Sequence, residues 1–239
     1  IGGDEVLTNN TDWQDLLYGT GLLTSHDIGV QGGTENGTYN IGVGYFKETS
    51  VVPGDSFDRY SLRAQVDQQV GAFRFGLNSV MNFNKTSSII GVNGALSASP
   101  LLSPFDANGN FVTPVRLQTN ADDSWIPTRY EVSRIGDGRR NEQLDFGSYN
   151  NLFAEVKIPG IEGLKYRMNV GLNFRVSRDG NFSGRGVFNY NLNSNSNASY
   201  SSSITKDYVI ENQLLYDRTF ADKHQVNFIG LFSSQQTQY

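Results

Sequence analysis

Residues 164–176 read LKYRMNVGLNFRV, in which Leu164, Tyr166, Met168, Val170, Leu172, Phe174 and Val176 alternate with Lys165, Arg167, Asn169, Gly171, Asn173 and Arg175. Side chains of a β-strand point to opposite faces in turn, so such a strand has one apolar face and one wet, partly cationic face. The pattern recurs. Tyr39, Ile41, Val43 and Tyr45 alternate with Asn40, Gly42, Gly44 and Phe46, and Tyr60, Leu62, Ala64 and Val66 with Ser61, Arg63, Gln65 and Asp67. Phe73, Phe75, Leu77, Met81 and Phe83 do the same against Arg74, Gly76, Asn78, Asn82 and Asn84. These runs match the roughly 9 to 11 residues of a tilted transmembrane strand and exceed the usual soluble strand of roughly 5 or 6.

A mean hydropathy of -0.42 and a formal charge of -5 describe a soluble acidic protein only if both faces of each strand meet the same solvent. Half of every strand facing water inside a barrel gives the same average. No run of about 18 apolar residues exists, so a helical span is excluded. Tyr and Phe together number 27 and Gly 26 against six prolines, a mixture suited to aromatic girdles and long strands. With no cysteine and only His26 and His224, disulfide chemistry and a histidine metal cluster are not expected, and no cofactor is expected. The opening Ile1-Gly2-Gly3-Asp4-Glu5 lacks a basic n-region and an apolar h-region, the expectation for a mature or internal stretch of an exported chain.

Eight strands are predicted, at residues 22–31, 38–47, 58–69, 72–84, 148–158, 163–176, 205–219 and 224–236. Their connections alternate short and long, as in outer-membrane barrels with short periplasmic turns and long outer loops. The long loops are expected at residues 48–57, 85–147 and 177–204. The predicted fold is all-β, an antiparallel transmembrane β-barrel whose lipid-facing set includes Tyr39, Ile41, Val43, Tyr45, Leu62, Leu164, Tyr166, Val170, Leu172 and Phe174. A closed eight-stranded barrel is narrow and filled by side chains, yet the inward residues here are rich in Gly and Asn. An open set of strands from a larger barrel is expected instead, since unpaired edges are not tolerated in a bilayer.

Asn10-Thr11-Asp12-Trp13-Gln14-Asp15, Gly19-Thr20-Gly21 and residues 26–33 (HDIGVQGG) followed by Thr34-Glu35 resemble the start of the barrel in SusC/RagA-type TonB-linked outer-membrane proteins of Bacteroidetes. Residues 57–63 (FDRYSLR), 99–110 (SPLLSPFDANGN), 150–153 (NNLF) and 163–167 (GLKYR) continue the likeness in matching order along nearly the whole chain. The resemblance implies that residues 1–239 belong to one barrel domain of roughly 22 strands, with the plug, TonB box and remaining strands outside this sequence. It also implies import powered through TonB, a SusD-like surface lipoprotein as partner, the cell outer membrane as location, and a glycan or peptide ligand. Outer-membrane lipid is the surrounding partner. No nucleic-acid partner is expected.

Loops as long as residues 85–147 are usually functional or disordered. Phe105, Trp125 and Tyr130 offer faces for stacking on a sugar, and Arg129, Arg134, Arg139, Arg140, Asp122 and Asp123 offer polar contacts; the plainer alternative is that they fold the loop or touch the cap. Asp106-Ala107-Asn108-Gly109-Asn110 has the oxygen spacing of a calcium loop's opening, but its twelfth position is Leu117, so an Asx turn is expected. Residues 203–206 (SITK) match a Ser-x-x-Lys spacing without a companion motif. Residues 189–203 read as a solvated loop. Arg63, Arg74, Arg167 and Arg175 are expected inward, pairing with Asp67 and Glu155 or with a plug.

The chain is therefore expected to be a non-enzymatic part of an importer of oligosaccharides or oligopeptides. The competing readings are a passive porin and a barrel platform for surface protein binding or assembly.

Overall fold

A computed structural model describes residues 9–89, 92–111, 128–185, 187 and 195–239. The chain forms one eight-stranded antiparallel sheet in sequence order, β1 (Leu22–Thr34), β2 (Gly37–Thr49), β3 (Ser56–Val70), β4 (Phe73–Ser87), β5 (Arg139–Lys157), β6 (Leu164–Ser183), β7 (Asn197–Phe220) and β8 (His224–Gln238). No pairing of β1 with β8 closes it among the described residues. Three short helices, α1 (Trp13–Leu17), α2 (Asn93–Ser97) and α3 (Arg129–Ile135), lie outside the sheet.

Register converts the alternation into two faces. The pairs Ile28↔Val43, Val43↔Leu62, Leu62↔Met81, Met81↔Ser148 and Ser148↔Phe174 form one row. Every residue expected to face lipid lies on this side, because all of them fall in rows separated from it by even steps. Among the described residues nothing covers this face: Ile28 is 71% exposed, Phe73 61% and Phe228 59%. A water-soluble sheet of this size would bury that face in a core. The polar residues on it bond to one another, Ser79 Oγ donating to Asn150 Oδ1 at 2.6 Å and Asn150 Nδ2 to Ser148 Oγ at 2.8 Å.

The turns at one end are tight and those at the other are long, in the predicted alternation. The strands overrun their predicted bounds at the long-loop end. β5 begins at Arg139 and not at 148, β6 continues to Ser183, and β7 begins at Asn197. The long connections are thereby shortened to residues 88–138 and 184–196. The stretch predicted as loop at 189–203 is thus strand from Asn197 onwards, paired to Ser183 and its predecessors, while residues 189–194 lie outside the described residues. Polar residues on both faces hid these extensions, since an alternation of greasy and wet survives only where one face meets an apolar phase.

The buried core is small and sits at the long-loop end. Trp13, Leu17 and Ala95 form it, with Leu16, Val52, Ile89 and Leu102 packed around. Asp12 caps α1, its carboxylate accepting from the backbone N–H groups of Gln14 and Asp15, both at 3.0 Å. Thr11 Oγ1 donates to the Leu102 carbonyl at 2.6 Å, tying the chain before β1 to the loop after β4.

Candidate functional site: the polar wall and its loop end

The second face of the sheet is wet. Its central row contains Gln31, Asn40, Gln65, Asn78 and Asn151, paired in that order across five strands. All five side chains are exposed, and none makes a side-chain hydrogen bond within the described residues. Neighbouring strands lie about 4.8 Å apart, so the row is a ladder of free amides, each offering donors and an acceptor at near-regular intervals. It runs along a shallow concavity of about 830 Å3.

Below the ladder the wall is charged and internally paired. Arg74 grips Asp67 with two hydrogen bonds of 2.9 Å. Arg167 lies 3.7 Å from Glu155, which Lys165 also approaches at 3.6 Å. The Arg167 guanidinium stacks over the Phe153 ring at 4.1 Å from its centroid, and Arg74 lies 5.8 Å away. Phe153 itself rests on Gly76, where an added Cβ would collide with the ring and lie 2.9 Å from the Val66 carbonyl oxygen. Above the ladder, Arg175 meets Asp207 at 3.7 Å and Ser177 donates to Asp145 at 2.6 Å. The expected inward arginines thus pair with neighbouring strands, whereas Arg63 is exposed with no partner among the described residues.

At the loop end, two of the predicted ligand residues meet. Phe105 and Tyr130 pack edge to face with centroids 6.3 Å apart, and Phe111, which was not among the predicted ligand residues, completes the cluster by stacking on Tyr130 at 4.7 Å. The signal that could have found it is its place flanking the predicted Asx turn opposite Phe105, and the two residues do bridge the sides of the Asp106–Asn110 segment. Tyr130 remains 52% exposed and Phe105 39%. Arg129 is placed elsewhere: its Nη2 donates to the Asp15 carbonyl at 2.7 Å, clamping α1. Trp125, Asp122, Asp123 and the side chain of Arg134 lie outside the described residues.

The Asp106 turn has the expected Asx geometry. Its carboxylate accepts from the backbone N–H of Asn110 at 2.8 Å, the Asn110 side-chain amide at 3.1 Å and the N–H of Asn108 at 2.9 Å. These donors, those of Asn110 foremost, hold the Asp106 carboxyl below the usual carboxylate range. The carboxylate oxygens are engaged by donors within its own turn. Among the described residues no group of three or more His, Cys, Asp or Glu is arranged to hold a metal ion.

No family profile matches the chain. It is 24% identical over 248 residues to the TonB-dependent receptor P3 of Formosa agariphila, an alignment covering 96% of this chain and 23% of that protein. A segment covering 39% of the chain is 32% identical over 102 residues to the TonB-dependent receptor SusC of Bacteroides thetaiotaomicron, covering 10% of that protein. The fold is shared with the RagAB peptide transporter, at a TM-score of 0.72 and 16% identity, over 96% of this chain and 26% of that one. The chain therefore spans about a quarter of the length of the relatives that it matches along its whole course. Along nearly all its residues the chain is thus similar to TonB-dependent receptors, over a shorter stretch to SusC, and its antiparallel sheet is the fold of a segment of the RagAB barrel.

Proposed function

We propose that this sheet is part of the wall of an outer-membrane importer coupled to TonB, with its apolar face in lipid and its amide-lined face toward a polar passage. The observation that carries the reading is the division of one sheet into an uncovered apolar face and a row of unpartnered amides. No single aqueous or apolar solvent suits both faces, whereas a barrel wall separates the two phases. The bare edges of β1 and β8 would each bond to further strands of the same barrel domain, since open edges are costly in a bilayer. The amide ladder would line the passage or bond to a plug within it.

In this reading the connections at residues 88–138 and 184–196 lie on the outer surface, beneath a SusD-like lipoprotein. The part-exposed rings of Phe105 and Tyr130 would stack on an incoming oligosaccharide or oligopeptide, with Trp125 as a further candidate. Among the described residues no constellation of nucleophile and base is drawn together on the wall, and the role proposed is transport.

The test is uptake by cells carrying the full-length protein, supplied with labelled oligosaccharides and labelled oligopeptides. Uptake of one class that is lost when TonB is deleted supports the reading. Entry that is independent of TonB would replace it with a passive porin, and recovery of a stoichiometric protein partner without any uptake would replace it with a surface platform.

A further inference from the structure

The apolar face ends, toward the long loops, in a charged row. One row of the register places Tyr45, Tyr60, Phe83 and Phe146 side by side, with Tyr45 and Tyr60 rings 5.0 Å apart and Tyr60 and Phe83 6.3 Å apart. Two residues further along each strand, on the same face, the row reads Lys47, Asp58, Lys85, Leu144 and Arg178. Lys206 stands on the same face of the adjoining strand, opposite Phe174. The acids nearby do not balance these cations. Asp58 lies 4.0 Å from Lys47 and Glu142 3.4 Å from Lys85, while Arg178 and Lys206 are exposed and have no acidic partner among the described residues.

Aromatic rings in such a belt sit at headgroup level, and cations just beyond them reach the polar ends of the lipids. Below the same strands lies an uncovered groove of about 510 Å3, lined by Phe75, Leu77, Leu152, Met168, Val170 and Leu172. Its upper edge, Leu172, is six residues along β6 from Arg178. At roughly 3.3 Å per residue and a tilt of about 40°, that is about 15 Å of depth, half of a hydrocarbon core of roughly 30 Å.

We propose that this strip holds a phosphate-bearing lipid of the outer leaflet, its phosphate at Arg178 with Lys206 and Lys85 flanking it on either side, and an acyl chain running down to the groove. The site rests on the membrane reading above. Its occupant follows from the charge: a zwitterionic or neutral headgroup would leave the surplus of positive charge unmatched, whereas a phosphate meets it with charge-assisted hydrogen bonds. Arg178 supplies the planar fork, and the two lysines supply point charges.

The experiment is native mass spectrometry of the full-length protein in detergent, titrated separately with phosphatidylglycerol, phosphatidylcholine and inorganic phosphate. Wild-type protein is expected to retain phosphatidylglycerol in preference to phosphatidylcholine, and R178E/K206E to bind it at least about tenfold more weakly. R178K should recover most of the loss. Both positions are exposed, so an unchanged β-sheet circular dichroism spectrum is expected and separates loss of binding from loss of fold. Equal retention by wild type and R178E/K206E would overturn the site, as would competition by inorganic phosphate at matched concentration. A full-length protein that stays in water without detergent would overturn the membrane reading itself, a result distinct from insertion with unchanged lipid retention.

Discussion

Trp13 Nε1 donates a hydrogen bond of 2.9 Å to the carbonyl oxygen of Ser99, across 86 residues of chain. The bond fastens α1 to the loop that follows β4. Both residues belong to the segments on which the family resemblance rests, and their contact gives those segments a physical reason to occur together. Trp13 is 3% exposed and Leu17 fully buried, so the small core at the loop end hangs on this indole. Trp13→Phe, which keeps most of the bulk and loses the donor, should cost about 1 kcal/mol, and Trp13→Ala about 3 to 5 kcal/mol. Limited proteolysis should show earlier cleavage within residues 88–138 for Trp13→Ala, with the sheet unchanged.

The Asp106 turn should respond to acid. Its carboxyl is held below the usual carboxylate range by donors from Asn110 and Asn108, so the turn's stabilisation is complete above the ordinary pKa and is lost as pH falls through the lowered one. The protection factors of the Asn108 and Asn110 amides, exchange rates referred to the intrinsic rate at each pH, should fall on acidification in that window. Asp106→Asn should show little protection at neutral pH and little further loss of it with acid.

Gly76 and Phe153 form a second coupled pair. Gly76→Val would drive Phe153 off the wall and break the Arg167 stack, at a cost of about 1 to 3 kcal/mol in denaturant unfolding of the full-length protein. Adding Phe153→Ala should recover part of it. Purely additive losses in the double variant would show that ring and glycine are not coupled.

The turn between β7 and β8 is built from unfavourable residues. Ala221 and Asp222 both have φ of 53°, and Lys223 N–H donates to the Phe220 carbonyl at 3.1 Å, the geometry of a turn that favours Asn-Gly. Replacing the pair with Asn-Gly should stabilise the hairpin by about 1 kcal/mol, read as a higher midpoint in chemical unfolding.

Much of the sheet was legible because one solvent boundary writes itself into sequence. Tyr166 to Val176 alternate without a break, and the register places them where that alternation predicts. The strand ends were not legible: residues 197–203 (NASYSSS) carry no alternation, yet pair with residues 177–183. The candidate site was legible only in its loop. Phe105 and Tyr130 stood out as aromatics in a long connection, and the structure brings them together. Arg129 looked equally available, but its carbonyl partner at Asp15 is 114 residues away in sequence, and nothing local announces it. The amide ladder was hidden for the same reason. Gln31, Asn40, Gln65, Asn78 and Asn151 are unremarkable singly and become a row only once five strands are placed in register.

Opposite phases meet the two faces of one strand in the proposed barrel, and β6 offers the most direct test, because residues 1–239 contain no cysteine and any outside them can be replaced before labelling. Single cysteines placed at Asn169, Val170, Gly171 and Leu172 of the full-length protein in lipid bilayers would each carry a spin label. Accessibility to oxygen, which concentrates in lipid, should be high at Val170 and Leu172, and accessibility to a water-soluble nickel chelate should be high at Asn169 and Gly171. Labels at Val170 and Leu172 that are shielded from oxygen, or reached as readily by nickel as their neighbours, would contradict the proposed barrel.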